Sequence, residues 1–140
     1  MMVSQFTLGK NERLKSRKLI EQIFNEGKSF SIQPYKTYYL FGKAHNIQYS
    51  IFNIQFATGV SSKNFKKAVD RNRIKRLTRE AYRLQKKELQ GVLKQKDLQL
   101  NIFFIYTGKE LPDFNTTKEK VNVILNKMIK IVNENNFPHT

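Results

Sequence analysis

A chain of 140 residues that is 39% hydrophobic, with eleven Phe and six Tyr, has the length of one domain and the apolar content for a real core, which excludes a disordered basic tail. Its formal net charge of +15 and pI near 10.1 point to a polyanionic partner, nucleic acid ahead of an anionic membrane surface. The absence of Cys excludes disulfides, a thiolate nucleophile and a thiol-rich zinc site, and no stretch approaches the ~20 apolar residues of a membrane span. Met1 to Arg13 contains no apolar run of signal-peptide length, so a cytoplasmic protein without a membrane partner is expected.

Residues 1–13 are polar and expected to be loose, ahead of a single domain over 14–135. Ser16 can cap a first helix that Gly27 ends, with Leu19, Ile20, Ile23 and Phe24 on its apolar stripe. Ser29 to Phe41 is rich in aromatic residues and broken by Pro34, which predicts a short strand and then a longer one, or an interrupted edge strand. Gly42 to Tyr49 is expected to turn. Ile51 to Val60 alternates, with Phe52, Ile54 and Phe56 on one face, and predicts a half-buried strand. A basic helix follows from about Phe65 to Leu89, then a near-continuous apolar strand from Leu98 to Tyr106. Thr116 with Glu119 fits a capping box, opening a last helix with the stripe Val121, Ile124, Leu125, Met128 and Val132. The order helix, strands, helix, strand, helix makes the domain α+β or α/β, one sheet with helices packed on it.

The basic helix carries the functional signal. Lys63 to Lys87 holds eleven Lys or Arg against two acids, Asp70 and Glu80, so 25 residues carry +9 of the total +15. At about 100° per residue, Ile74, Leu77, Ala81 and Leu84 form an apolar stripe. Arg71, Asn72, Lys75, Arg76, Arg79, Arg83 and Lys86 fall opposite. A solvated face normally mixes signs; this one is nearly all positive, and Arg offers the planar bidentate donors that suit phosphate. Asp70, just before the motif, is expected to cap the helix or to fix Arg71 or Arg73. Little suggests catalysis by the chain itself. His45 and His139 are isolated, the eleven acids are scattered, and no glycine-rich phosphate loop or zinc-ligand spacing is present.

Arg71-Asn72-Arg73-Ile74-Lys75-Arg76-Leu77 with Arg79-Glu80-Ala81-Tyr82-Arg83 resembles the protein subunit of bacterial ribonuclease P. The likeness extends upstream through Ala68-Val69 and Ser62-Lys63 to Arg13-Leu14-Lys15, Phe24 and Gly27. It covers roughly 13–90, and the last fifty residues match in pattern only. The resemblance implies a single α+β domain of the kind found in the second domain of ribosomal protein S5, with the basic helix in a left-handed βαβ crossover. It implies the protein subunit of a ribonucleoprotein endoribonuclease that matures the 5′ end of tRNA. The partners would be ribonuclease P RNA and the 5′ leader of precursor tRNA, with no obligate protein partner. Catalytic groups would be borne by the RNA, which would also bind most of the magnesium. By position, the RNA-binding residues would be Lys63, Arg71, Asn72, Arg73, Lys75, Arg76 and Arg79, joined from the same basic stretch by Lys66, Lys67 and Arg83. The leader-binding cleft would be lined by Ile20, Phe24 and Tyr38, with plain core packing as the alternative for Phe24. Unpaired nucleotides are held by aromatic stacking beside cations, which tolerates varied sequence. The chain departs from a common family form at Asn64 to Lys67, where a Lys and a Gly are replaced and two Lys follow.

Three other readings compete. A stand-alone RNA-binding module, such as a ribosomal protein or assembly factor, fits the charge equally and is separated only by the specific motif. A DNA-binding regulator would need a narrower groove-reading face and a dimerisation seam. A protein-only nuclease would need the carboxylate cluster that is missing.

Overall fold

Every apolar stripe in this chain needs a partner, and one sheet supplies it. The computed structural model describes residues 13–43 and 54–134, and places α1 (Arg17–Glu26), β1 (Lys28–Ile32), β2 (Tyr35–Lys43), β3 (Ile54–Val60), α2 (Ala68–Gln85), α3 (Lys87–Gln95), β4 (Leu98–Tyr106) and α4 (Phe114–Glu134) in that order. The four-stranded sheet runs β1-β2-β4-β3, antiparallel except for the parallel pair β3 and β4. α2 and α3 form the crossover between those two strands. Four helices on one mixed sheet make an α+β domain.

Strand periodicity divides the sheet into two faces. Tyr35, Thr37 and Tyr39 of β2, Ile54 and Phe56 of β3, and Leu100, Ile102, Phe104 and Tyr106 of β4 share the face covered by α2 and α4, and all are buried. Phe56 stacks on Tyr82 of α2 at 4.0 Å between ring centroids and 5° between planes, a geometry worth ~0.5–1.5 kcal/mol beyond area burial. α1 lies on the other face, against β2 and β4, and buries Ile23.

Ser16 caps α1 by accepting from the Leu19 amide at 3.3 Å, and the Gly27 amide closes it by donating to the Ile23 carbonyl at 2.9 Å. Pro34 separates two strands rather than breaking one: Ile32 pairs with Tyr35 across a two-residue turn whose Gln33–Pro34 bond is cis. β2 runs through Gly42 and Lys43, longer than expected; the rest of the anticipated turn, and Ile51 and Phe52 of the next strand, lie outside the described residues. α4 buries all five residues of its expected stripe. Its cap is Asp113, not Thr116: the Asp113 carboxylate accepts from the Thr116 amide at 2.7 Å, which lowers the Asp113 pKa, and Thr117 turns inward.

The basic segment needs the largest corrections. It is two helices that meet at Lys86, and no Gly or Pro marks the junction. The new direction lets Leu89 and Leu93 of α3 bury against α4 and β4. The core line of α2 is Ile74, Thr78, Ala81 and Tyr82; Leu77 is half-buried and Leu84 is 37% exposed. Thr78 tolerates burial because its hydroxyl donates to the Ile74 carbonyl at 2.9 Å and pairs with the Tyr35 hydroxyl at 2.6 Å. Lys86, expected on the cationic side, is buried at the α2–α3 junction with 1% exposure.

Candidate nucleic-acid interface

α2 projects the arginine-rich motif away from the sheet. Asn72, Arg73, Arg76 and Arg79 are exposed, as are Lys63, Lys66 and Lys67 in the approach to the helix. Lys75 is half-buried. Asn72, Arg76, Arg79 and Arg83 follow one another at spacings of four, three and four, so they make one stripe along α2.

Two members of the expected set are engaged within the protein. The Arg71 guanidinium donates to the carbonyls of Phe65 and Lys66, both at 2.8 Å, and so ties the loop after β3 to the first turn of α2. That loop holds the Asn64 to Lys67 departure. Asn64 Nδ2 donates to the Thr107 and Gly108 carbonyls at 3.2 and 3.3 Å, anchoring it to the segment after β4. Arg83 grips Glu80 with two hydrogen bonds, which raise the Arg83 pKa and lower that of Glu80. Asp70 lies in the first turn of α2, and the capping position is Lys67, whose side chain makes no capping bond.

The second region is on the α1 face. Phe24 is 41% exposed, with its ring edge on Tyr38 at 4.7 Å and tilted against Phe103 at 5.3 Å. Tyr38 and Phe103 are register partners on β2 and β4, which aligns their side chains on the same face. Lys36 Nζ lies 5.2 Å from the Tyr38 ring centre, a cation beside an aromatic face. Gly59 leaves room for Phe103: a Cβ there would come within 3.2 Å of the Phe103 ring. Ile20 is half-buried on α1. Of the three tyrosines of β2, Tyr35 and Tyr39 enter the core, and Tyr38 alone turns to this face.

The ribonuclease P family model matches residues 8–129. The chain belongs to the ribonuclease P protein family. It is 42% identical over 113 residues to the ribonuclease P protein component of Porphyromonas gingivalis, covering 81% of this chain and 80% of that one. It is 31% identical over 129 residues to the protein component of Chlorobium phaeobacteroides, covering 87% and 88%. Its fold resembles that of the Staphylococcus aureus RNase P protein, with a TM-score of 0.60 at 22% identity over 85% of this chain and 96% of that one. It is therefore a protein subunit of ribonuclease P, a ribonucleoprotein endoribonuclease whose catalytic role is carried by RNA. No helix among the described residues is long and apolar enough to cross a membrane.

Two positions escaped the sequence reading. Phe103 completes the aromatic cluster, but it sits in a strand apolar on both faces, where alternation gives no signal. Arg13 was grouped with the loose N-terminus, yet it forms a parallel bridge to Phe56 at the edge of β3. Its membership of the Arg13-Leu14-Lys15 stretch in the family resemblance was the one available clue.

Proposed function

We propose that the exposed cations of α2 and its approach bind the RNA subunit, while Phe24, Tyr38 and Phe103, with Ile20 beside them, receive the single-stranded 5′ leader of precursor tRNA. The first surface comprises Asn72, Arg73, Lys75, Arg76 and Arg79, with Lys63, Lys66 and Lys67, and Arg71 and Arg83 at its margins. Phe24 carries the reading: a large ring left half in solvent, resting on two other aromatic side chains beside Lys36, offers a stacking surface for bases of any identity. Residues 14–135 act as one RNA-binding domain, in the cytoplasm where transcription supplies precursor tRNA.

The family's reaction implies magnesium. Among the described residues, no three His, Asp or Glu side chains gather as a metal site, so those residues do not fit the role of holding the ion. We assign magnesium to the RNA, and what the protein's residues do is bind and orient. The test is reconstitution: pure protein, a bacterial ribonuclease P RNA and precursor tRNA are combined at low magnesium. The expected outcome is 5′ cleavage that depends on both components. Cleavage unaffected by the protein, or carried out by repurified RNA-free protein, would sink the proposal.

A further inference from the structure

β1 borders the sheet, and among the described residues no strand lies beyond it. The register fixes which groups its outer edge offers. The Thr107 amide donates to the Pro34 carbonyl at 2.7 Å. In an antiparallel ladder that bond flanks a pair whose own backbone groups point away from each other, here Tyr35 and Tyr106. Tyr35 therefore bonds toward β1, and across the five paired residues Ile32, Phe30 and Lys28 bond inward. The amides and carbonyls of Ser29 and Ser31 point out of the sheet. Many proteins blunt such an edge with charge, Pro or a bulge. Here the one charged residue of the strand is Lys28, at its end, and the pairing is unbroken. α4 flanks the strand: Lys127 Nζ lies 4.7 Å from the Phe30 ring centre. Lys120, Val123 and Lys127, three and four residues apart, share that side of the helix. Val123 is 45% exposed and Phe30 is half-buried. Glu134, one turn and more beyond Lys127, is engaged by Lys130 at 3.9 Å. An apolar strip with a lysine rim thus runs beside an open backbone ladder.

We propose that the outer edge of β1 takes an added strand from an acidic segment of another protein. Its carboxylates would pair with Lys28, Lys120 and Lys127, and an apolar side chain would rest on Phe30 and Val123. Main-chain bonds to Ser29 and Ser31 give such a complex its affinity, and the flanking side chains give it selectivity. The ladder favours protein over nucleic acid, because a phosphodiester backbone does not repeat N–H and C=O groups at strand spacing. Charge favours an acidic partner over a second copy of this chain, which would bring its own +15 to the contact. α4 packs against both α2 and β1 and so separates this edge from the arginine stripe. A partner on β1 and an RNA on α2 can therefore be held together, which makes the edge a place to tether the ribonucleoprotein.

The probe is a short, labelled, end-blocked peptide that alternates Glu and Val, and its binding to the full-length protein is followed by fluorescence anisotropy. A second peptide carries an N-methyl group on every amide, which keeps the charge and removes the ladder donors. Ser31→Pro removes one outward donor of β1, Lys127→Glu reverses a charge on the rim, and Arg76→Glu reverses one on α2. The unmethylated peptide should bind about tenfold more tightly than the methylated one. Ser31→Pro should weaken it about tenfold and Lys127→Glu about fivefold, whereas Arg76→Glu, screened from the edge, should change it less than about twofold. Melting temperatures are read for each variant, and the comparison of the two peptides on the wild-type protein stands even where Ser31→Pro does not fold. No binding of the unmethylated peptide overturns the proposal. Equal affinity for the two peptides, or a loss in Arg76→Glu as large as that in Lys127→Glu, overturns it by assigning the attraction to charge alone. A dimer in sedimentation that Ser31→Pro dissociates gives the edge to a second copy. Loss of ribonuclease P RNA affinity in Lys127→Glu, without loss of peptide affinity, gives it to RNA. Either result overturns the acidic strand.

Discussion

Because the Phe24 ring is 41% exposed, truncating it removes a stacking surface without opening a core cavity. Phe24→Ala and Tyr38→Ala should therefore weaken holoenzyme binding of precursor tRNA, but not of mature tRNA, which lacks the leader. Loss of one base–aromatic stack costs ~1–3 kcal/mol, so the preference for precursor should fall about five-fold or more. The two dissociation constants measured for each variant decide it, and a preference unchanged in a folded Tyr38→Ala protein removes Tyr38 from the site. Tyr35 reports on the opposite face. Burial pushes its phenol up from 10.0 to about 12, against a smaller lowering by the Thr78 hydrogen bond. A raised folded-state pKa means the stabilisation is complete below pH 10 and is lost from about pH 10 to 12, as the unfolded chain ionises first. That loss amounts to about 3 kcal/mol. Tyr35→Phe should cost about 1 kcal/mol at pH 7, from the hydrogen bond to Thr78. Its stability should then fall less steeply than wild type above pH 10. Parallel curves in urea titrations across that range would show that Tyr35 does not carry the alkaline loss.

Whole elements are positioned by smaller features. Gly27 has an ordinary φ of −76°, so it is required for space rather than for conformation. A Cβ there would collide with the carbonyl oxygens of Ile23 and Tyr39, the latter at 2.6 Å, where α1 meets β2. Gly27→Ala should destabilise by ~1–3 kcal/mol and lift α1 away from the cleft. Gly91 in α3 has open space around it, so Gly91→Ala should stabilise by ~0.5–1 kcal/mol. Denaturant midpoints of opposite sign check the pair; two shifts in the same direction would refute this account. The same elements show what a sequence discloses. The bounds of α1 were legible because Ser16 and Gly27 act through local hydrogen bonds, and the α4 stripe because its apolar period is unbroken. The α2–α3 junction was not, since Lys86 turns the chain without Gly or Pro. Thr78 and Tyr82 were missed as core because their burial depends on Tyr35 and Phe56, far along the chain. The Arg13 tie depends on a backbone bond made by its neighbour Leu14, which no side-chain pattern records.

Across the whole molecule the charge is uneven, and the cations of α2 differ in what they do for the fold. Arg73→Ala and Arg76→Ala should weaken binding to the RNA subunit and flatten its salt dependence by up to about one unit each, with unchanged melting temperatures. Arg71→Ala should also lower the melting temperature, because its two bonds to the Phe65 and Lys66 carbonyls are lost. Equal affinity and salt slope in all three would reduce the helix to a solvated surface. The motif made the partner legible in the sequence, but the strand order β1-β2-β4-β3 did not show there, and it decides which side chains share a face. That order also bears on how the protein is made. During synthesis a ribosome releases α2, with the charge-dense stretch, before the strand that must slide between β2 and β3 exists. A nascent chain ending before Leu98 holds the Arg-Asn-Arg sequence on a helix that has β3 to pack against but neither β4 nor α4, and lacks Phe103 altogether. The arrival of β4 and then α4 thus completes both proposed surfaces late, and an incomplete product left by a stalled ribosome would carry the charge without the full packing that orients it.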